Sequence, residues 1–256
     1  MKLTVVTVCF NSAKTIGKCM DSVLKLDTND YEYVIVDGKS TDNTLSIIEG
    51  YKSSFYSKNV DLRIVSEKDS GIYNAMNKAI ELARGDWIIF LNSDDFFLNI
   101  ISVFDILEGV SDEIDIVYGD VMVSSYGVMT LQKPRNLERL RSGNEMPFCH
   151  QSTFVRNATL KKYRFDECYR IIADIDLFLR MYEDKLLFLY KPICVSVFSN
   201  EGLSQTHRIE SIKEGKRLLI NHKCYGFKRR VLLNTYLLWY NVKPYLPQFV
   251  LTALKL

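Results

Sequence analysis

The sequence lacks the features that define several common protein classes. No apolar stretch reaches the length of about 20 residues that a membrane-spanning helix needs. No G-x-G-x-x-G motif follows the first predicted strand, and no P-loop motif (G-x-x-x-x-G-K followed by Ser or Thr) occurs anywhere. These absences argue against a dinucleotide-dependent oxidoreductase and a P-loop NTPase.

Cysteine and histidine are too scattered to form a recognisable metal site. The six cysteines include no C-x-x-C pair, and most lie among apolar residues. This pattern is typical of packed, reduced thiols in a cytosolic protein rather than of a disulfide framework or a zinc site. The three histidines, His150, His207 and His222, show no metal-binding spacing. The net charge of +2 gives no reason to expect a nucleic-acid partner.

The first half of the chain alternates predicted strands with predicted helices. Short β-branched or aromatic runs mark the strands, at residues 3–8, 31–36, 62–66 and 87–91. Apolar residues at helical spacing lie between them, for example from Ile72 to Ala83 before the stop at Gly85. Such alternation is typical of βαβ units with right-handed crossovers. We therefore predict an α/β protein with a Rossmann-like, mostly parallel sheet and helices on both faces.

Polar residues follow each of these four strands near the point where it ends. They are Asn11, Asp37, Asp69, and the adjacent pair Asp94 and Asp95. The carboxyl ends of parallel strands lie along one edge of a sheet, and ligands bind at that edge. We therefore expect the four loops to converge on one site.

The acidic pair Asp94 and Asp95 is the strongest candidate for metal binding. Two adjacent carboxylates repel each other unless a cation lies beside them, and Mg²⁺ or Mn²⁺ prefers carboxylate and phosphate oxygens. The alternative is an ordinary turn whose carboxylates cap the next helix. The preceding strand and the converging loops favour a site for a metal ion and a diphosphate.

Two other acids in these loops have alternative interpretations. Asp37 could accept hydrogen bonds from a nucleobase or a ribose hydroxyl, but an Asp-Gly turn with Gly38 needs no ligand. Asp69 could contact a nucleotide or could cap the helix that begins at Ile72. The pattern alone leaves both alternatives open.

The second half of the chain predicts a mixed subdomain that shares one body with the first. It contains predicted strands, a hairpin near Ser125 to Gly127 and two helices, at residues 114–118, 121–129, 136–141, 148–154, 172–181, 186–190 and 193–198. Asp174 and Asp176 lie at the start of the second helix. Either could act as a general base, but acids are also favoured in a first helical turn by the helix dipole.

The amino-acid composition of the sequence changes again from about residue 227. A basic cluster, Lys228 to Arg230, precedes a run rich in leucine, tyrosine and tryptophan. Such a segment suits a helix that lies in a membrane interface. It equally suits a C-terminal helix that packs on the core or on a second subunit.

Five ordered blocks resemble those of family 2 glycosyltransferases. They lie at residues 4–12, 36–44, 67–78, 91–95 and 173–180, and the resemblance extends over roughly residues 3 to 205. The likeness is to bacterial enzymes that build capsule, colanic-acid-like or O-antigen polysaccharide.

The resemblance implies a GT-A fold in three parts. Residues 1–120 would form the half that binds the nucleotide sugar, and residues 121–226 the half that binds the acceptor and carries the catalytic base. Residues 227–256 would form a basic and aromatic tail. The implied activity is inverting, metal-dependent transfer from a UDP- or GDP-sugar to a hydroxyl of a growing, lipid-linked surface polysaccharide. The implied location is the cytoplasm, peripheral to the inner face of the membrane.

The resemblance also assigns roles to individual residues. Asp174 would be the catalytic base and Asp95 would bind Mg²⁺ or Mn²⁺. The nucleotide side would comprise Thr7, Phe10, Asn11, Asp37, Asp69, Gly71 and Asp94. The acceptor or donor-sugar side would comprise His150, Gln151, Asp176, Gly202 and His207.

The chain departs from the family pattern at two positions. Ala173 stands where many members have a glutamate before the base, so Asp176 is the alternative base. Asn92 begins the metal block, so metal binding rests on Asp94 and Asp95. The rival functions are a nucleotidyltransferase, which would need a glycine-rich and basic loop that residues 9–12 do not form, and a non-catalytic subunit that binds a nucleotide sugar. The sequence does not indicate an oligomeric state.

Overall fold

The computed structural model describes residues 2–98, 105–125, 127–143, 145–199, 207–223, 231, 233–235 and 237–239. The strands within these ranges are β1 Leu3–Cys9, β2 Tyr31–Asp37, β3 Asp61–Ser66, β4 Trp87–Phe90, β5 Phe96–Phe97, β6 Ile116–Ser125, β7 Val128–Gln132, β8 Thr153–Arg156 and β9 Phe188–Ser199. The α-helices are α1 Ile16–Leu24, α2 Thr44–Gly50, α3 Lys52–Ser57, α4 Ile72–Leu82, α5 Asn157–Tyr163, α6 Ala173–Glu183 and α7 Arg208–Asn221.

One mixed sheet contains all nine of these strands. Its order is β3-β2-β1-β4-β8-β6-β9-β5, and β7 pairs with β6 as a hairpin. The first four strands are mutually parallel, whereas β8 pairs antiparallel with both β4 and β6, and β9 runs parallel to β6. The predicted α/β architecture, with a parallel first half and a mixed second half, is confirmed.

Apolar side chains cover both faces of the sheet. Along β1, Leu3 and Val5 pack into one hydrophobic cluster and Val6 and Val8 into the other, because successive residues of a strand point to opposite faces. Helix α1 contributes to the first cluster and α4 to the second. This two-sided burial explains why the central strands are almost continuously apolar.

Three local predictions in the second half are wrong. Residues 148–154 are not one strand, because a 3-10 helix at His150–Ser152 precedes β8. The two strands predicted at 186–190 and 193–198 form the single strand β9, which pairs with β6 across an irregular register near Asp120. The helices α5 and α7 were not predicted.

A buried glutamate stabilises the edge of the sheet opposite the polar loops. Glu32 on β2 is fully buried and accepts hydrogen bonds from Thr4 Oγ1 at 2.7 Å and Arg84 Nε at 3.0 Å. Arg63 pairs with the same carboxylate. Burial opposes ionisation of Glu32, but the hydrogen bonds from Thr4 and Arg84 outweigh it and lower its pKa.

Glu32→Gln is expected to lower the free energy of unfolding by about 3 kcal/mol, because it removes the charge that pairs two arginines in a buried site. Urea unfolding followed by circular dichroism would measure the loss. Glu49→Gln is the matched control, since the Glu49 side chain is 45% exposed on α2. Equal losses in the two variants would contradict this assignment.

The described part of the C-terminal tail packs on the core. Leu233 is buried in the cluster that contains α4, and Leu237 packs against that cluster. Val231 and Leu238 are exposed. This arrangement supports the core-packing alternative for residues 231–239, while the basic cluster and the segment after residue 239 lie outside the described residues. Among the helices that the structure describes, none is both long enough and apolar enough to cross a membrane.

Candidate active site

The loops that follow β1, β2 and β4 are joined at the carboxyl edge of the sheet. The backbone N–H of Asn11 donates to Ser40 Oγ at 2.8 Å, and Asn11 Oδ1 accepts from the backbone N–H of Thr41 at 2.8 Å. Ser12 Oγ lies 2.8 Å from Ser93 Oγ in the loop after β4. The predicted convergence of these loops is therefore observed, and Asn11 joins two of them directly.

Asp37 and Thr7 lie beneath this edge and are fully buried. The Asp37 carboxylate accepts from Ser66 Oγ at 2.6 Å and from the backbone N–H of Ser40 at 3.1 Å. Thr7 Oγ1 donates to the carbonyl of Leu91 at 2.8 Å. The contact of both side chains with a nucleotide stays a prediction; in the structure they hold the loops of this edge from below.

Phe10 and Asp69 lie beside Gly38 at this edge, with the Phe10 ring exposed and the Asp69 side chain largely buried. Phe10 is 61% exposed. A Cβ atom placed on Gly38 would lie 3.2 Å from Asp69 Oδ2 and 3.5 Å from Phe10 Cδ2, so glycine permits this close approach. Asp69 also pairs with Lys78 at 2.6 Å, and Gly71, with φ of +154°, precedes α4. An exposed ring beside a carboxylate is suited to stacking and hydrogen bonding with a nucleobase.

The acidic pair has two unequal environments. Asp95 is 1% exposed, and its Oδ1 accepts from the backbone N–H of Ser199 at 2.8 Å. Its Oδ2 is buried with no hydrogen-bond partner among the described residues. Burial, with repulsion from Asp94, raises the pKa of Asp95 to about 8, and burial also raises the pKa of Asp94.

The chemistry of this pair fits a hard divalent cation. An unpartnered buried carboxylate oxygen is costly, and a bound cation would stabilise its ionised form. Within the described ranges, no group of three His, Cys, Asp or Glu side chains could hold a metal ion. The remaining ligands would therefore come from elsewhere, for example from phosphate or water oxygens.

Asp174 occupies the first turn of α6 in a setting suited to a general base. Its Oδ1 accepts from the backbone N–H of Ile175 at 2.9 Å and from Tyr73 Oη at 3.2 Å. Its Oδ2 lies 4.0 Å from His150 Nδ1, and the side chain is 24% exposed. Burial raises the pKa of Asp174 to about 6, near the range in which a base is most effective at neutral pH.

The segment around the 3-10 helix lies near both Asp174 and Asp95. Burial lowers the pKa of His150 to about 4, so its imidazole is neutral at pH 7, and His150 Nε2 is buried without a partner in the described part of the chain. Gln151 is buried and accepts a hydrogen bond from Cys149 Sγ at 2.9 Å. Asp95 and Asp174 both contribute to the raised pKa of Cys149, after burial as the main cause, so both acids lie near this segment.

Asp176, the alternative base, is engaged elsewhere. It is 3% exposed and accepts from Arg180 Nε at 2.8 Å, while His222 Nε2 lies 3.1 Å from its other oxygen. Burial alone would raise its pKa, but His222 and Arg180 together lower it. The structure thus favours Asp174 over Asp176. His207 immediately precedes α7, and Gly202 lies outside the described residues.

Sequence reasoning missed two residues that contact the candidate acids. Ser199, at the end of β9, donates to Asp95, and Tyr73, in the first turn of α4, donates to Asp174. Tyr73 lies within one of the conspicuous blocks, but it is 101 residues from its partner in the chain. No local pattern could have paired them.

Comparison of the sequence with models of known protein families identifies the family. The model of glycosyl transferase family 2 matches residues 4–187, which is well over half of the chain. The chain belongs to glycosyltransferase family 2. A relative of this family 2 glycosyltransferase, the PGL/p-HBAD biosynthesis glycosyltransferase of Mycobacterium bovis, is 31% identical over 205 residues, which cover 77% of this chain and 76% of the relative.

Solved structures show that this family 2 glycosyltransferase has the GT-A fold. S. aureus TarS 1–349 in complex with UDP-GlcNAc has a TM-score of 0.67 and 21% identity, with 86% of this chain and 67% of that chain covered. The mannosyltransferase PcManGT from Pyrobaculum calidifontis, in complex with GDP-Man and Mn²⁺, has a TM-score of 0.64 and 19% identity, with 92% and 69% covered. The chain thus spans about two thirds of these solved chains, and 66% of the TarS 1–349 chain in complex with UDP.

Proposed function

We propose that this family 2 glycosyltransferase moves a sugar from a UDP- or GDP-sugar to an acceptor hydroxyl with inversion at the anomeric carbon. The main support for the proposal is that the acidic pair and the candidate base Asp174 lie near the same segment, residues 149–152. The pair Asp94 and Asp95, of which Asp95 is buried, lies at the carboxyl edge of the sheet. Asp174 lies 4.0 Å from His150, in the segment that Asp95 also influences electrostatically.

The chain's own residues would bind the donor in two places. Phe10, beside Asp69, offers a face for the nucleobase, and the loops that carry Asn11 and Ser12 give that face a defined position. The diphosphate would then lie toward Asp94 and Asp95. Asp95 Oδ2 and Asp94 would hold Mg²⁺ or Mn²⁺, which when bound would neutralise the charge that develops on the leaving diphosphate.

Asp174 would remove the proton from the acceptor hydroxyl. The acceptor oxygen then forms its bond to the anomeric carbon while the bond from that carbon to the diphosphate oxygen breaks. Attack from the face opposite the diphosphate inverts the configuration, and no covalent enzyme intermediate is needed. The raised pKa of Asp174 makes it a stronger base than an ordinary carboxylate while it remains ionised at pH 7.

The proposal is tested with the purified chain and a panel of UDP- and GDP-sugars, with and without Mn²⁺. A bound donor is expected to raise the melting temperature by mass action, and turnover is expected to release a nucleoside diphosphate. Consumption of added pyrophosphate, with release of UTP or GTP and a sugar 1-phosphate, would instead support the nucleotidyltransferase. Binding without turnover on any acceptor would support the non-catalytic subunit, and no binding of any nucleotide would contradict all three.

We further propose that the acceptor is a lipid-linked glycan at the cytoplasmic face of the membrane. The support is the basic cluster Lys228 to Arg230 beside a leucine- and tyrosine-rich run, which suits attraction to anionic lipid headgroups. Co-sedimentation with anionic vesicles is expected to fall when these three residues are replaced by glutamine. Equal binding of the variant and the unmodified chain would contradict the membrane contact.

Phe10→Ala is expected to weaken nucleotide binding roughly tenfold, because stacking of a base on an aromatic ring contributes about 1–3 kcal/mol. Calorimetric titration with UDP and GDP would measure the change. Tyr56→Ala is the matched control, since Tyr56 on α3 is 86% exposed. Undiminished affinity in Phe10→Ala would show that the ring does not contact the base.

The rate of sugar transfer is expected to rise with pH and to reach half of its maximum near pH 6. Asp174 must be ionised to accept a proton, and burial raises its pKa to about 6, so the rate is lost as the pH falls through that value. Measurements of kcat at saturating donor, acceptor and Mn²⁺ would give this profile. An acid limb centred near the ordinary carboxyl pKa of about 4 would assign the base to another residue.

A further inference from the structure

The backbone just before α6 is held by a glutamate from a distant helix. Glu214, half-buried on α7, accepts hydrogen bonds from three successive backbone N–H groups. The distances are 2.8 Å to Arg170 N, 3.0 Å to Ile171 N and 3.3 Å to Ile172 N. Hydrogen bonds from several backbone amides to one carboxylate are strong, so α7 fixes the position at which α6 begins.

Tyr73 holds the same segment from the opposite half of the protein. Its hydroxyl lies 2.7 Å from the carbonyl oxygen of Ile171 and 3.2 Å from Asp174 Oδ1. The single hydroxyl proton can serve either acceptor, so Tyr73 connects the backbone of the segment with the carboxylate itself. The Tyr73 ring is buried and stacks on Phe165 at 5.3 Å, which fixes the direction of the hydroxyl.

We propose that Tyr73 and Glu214 are positioning residues that clamp residues 170–172 and thereby set the place and the proton affinity of the Asp174 carboxylate. The inference rests on the proposed function, because it assigns the clamp to the base of that reaction. Neither residue is expected to touch donor or acceptor. Tyr73 would act through its hydrogen bond to Asp174, and Glu214 through the backbone that carries Asp174.

Few other titratable groups near Asp174 can disturb a measurement of its proton affinity. His150 faces it from the 3-10 helix and has its pKa lowered by burial to about 4. Cys149 is close enough to interact electrostatically, and burial raises the pKa of its thiol. Tyr73 has a pKa raised by burial, with further contributions from Asp174 and Glu214. His222, whose pKa is raised by Asp176 and Glu183, and Asp95, with a pKa of about 8, also titrate near neutral pH, so the signal of the Asp174 carboxyl carbon itself is followed.

Tyr73→Phe tests the hydroxyl while the ring and its stacking are retained. Loss of a donor to the ionised carboxylate is expected to raise the pKa of Asp174 by roughly 0.5–1 unit, which moves the acid limb of the kcat profile to higher pH by the same amount. Tyr56→Phe is the matched control and is expected to leave the limb in place. An unchanged limb in Tyr73→Phe would overturn the role of Tyr73.

Glu214→Gln tests the backbone clamp. It is expected to lower kcat roughly 10- to 100-fold with the KM for the donor unchanged, because the base is displaced and donor binding is not. Glu210→Gln is the matched control, since Glu210 is exposed on the same helix. An equal kcat in Glu214→Gln and Glu210→Gln would overturn the role of Glu214, and restored activity in Glu214→Asp would support it.

Two readouts separate failure of the clamp from failure of the proposed function. Carboxyl-carbon NMR of the metal-free protein gives the pKa of Asp174 without any turnover. Hydrogen exchange gives the protection of the amides of residues 170–172, which is expected to fall in Glu214→Gln and to stay constant in Glu210→Gln. If the unmodified chain has no transferase activity, the proposed function fails, and these two measurements still confirm or overturn the clamp.

Discussion

Asp174→Asn is expected to lower kcat for sugar transfer by roughly 10²–10⁴-fold, the range that a positioned general base contributes. Asparagine keeps the size and the hydrogen bond from the backbone N–H of Ile175, but it cannot accept the proton of the acceptor hydroxyl. Donor affinity is expected to remain at the value for the unmodified chain, because Asp174 is on α6 and not in the loops proposed to bind the donor. Steady-state kinetics and calorimetric titration of the donor would measure the two quantities separately.

Two further variants test whether the loss of kcat is specific to Asp174. Asp27→Asn, in the exposed loop after α1, controls for the loss of one acid and is expected to leave kcat unchanged. Asp176→Asn is expected to affect the stability of α6 more than the chemistry, because Asp176 is paired with Arg180 and His222. If Asp174→Asn retained turnover while a folded Asp176→Asn lost it, the assignment of the base would be wrong.

Asp95→Asn is expected to abolish the increase in donor binding that Mn²⁺ produces. The substitution removes the charge of a buried carboxylate that has one oxygen without a partner among the described residues, and hard cations bind carboxylate oxygen far better than amide oxygen. Because burial disfavours the ionised acid, the metal-free variant is expected to melt no lower than the unmodified chain. The variant would thus lose function without losing stability.

Thermal melts with donor alone, Mn²⁺ alone and both together would check this prediction. Asp94→Asn serves as the comparison and is expected to weaken transfer while it keeps part of the response to Mn²⁺, because Asp94 is less buried than Asp95. A full Mn²⁺ response in Asp95→Asn would show that the cation binds elsewhere. A large fall in the melting temperature of the metal-free variant would show that Asp95 is mainly structural.

Local sequence patterns predicted the strands of the first half of the chain well. The four parallel strands lie within a residue or two of their predicted limits. For β1, β2 and β4 the reason is that a strand buried on both faces is almost continuously apolar, whereas β3 is a partly exposed edge strand. The convergence of the loops after β1, β2 and β4 follows from parallel topology alone. In the mixed half, where neighbouring strands run in both directions, the 3-10 helix and the single strand β9 were missed.

Sequence patterns did not reveal the surroundings of individual side chains, on which their roles depend. The sequence did not show that the Asp37 carboxylate accepts hydrogen bonds from Ser40 in its own loop and from Ser66 on β3. Asp174 and Asp176 are equivalent in a helical pattern, but one faces Tyr73 and His150 and the other faces Arg180 and His222. Two residues along a helix correspond to more than half a turn, so the two acids point in different directions.

The sequence by itself determined that the chain is a family 2 glycosyltransferase with an acidic pair at the end of its fourth strand. Both conclusions depend on ordered local blocks, and the residues of each block are close in the chain. Only the tertiary structure showed that Asp95 has one oxygen without a hydrogen-bond partner among the described residues, that Asp174 and Asp176 have different surroundings, and that Tyr73 and Glu214 hold the backbone before Asp174. These features arise from contacts between segments some 40 to 100 residues apart, which depend on how the helices pack on the sheet rather than on any local periodicity.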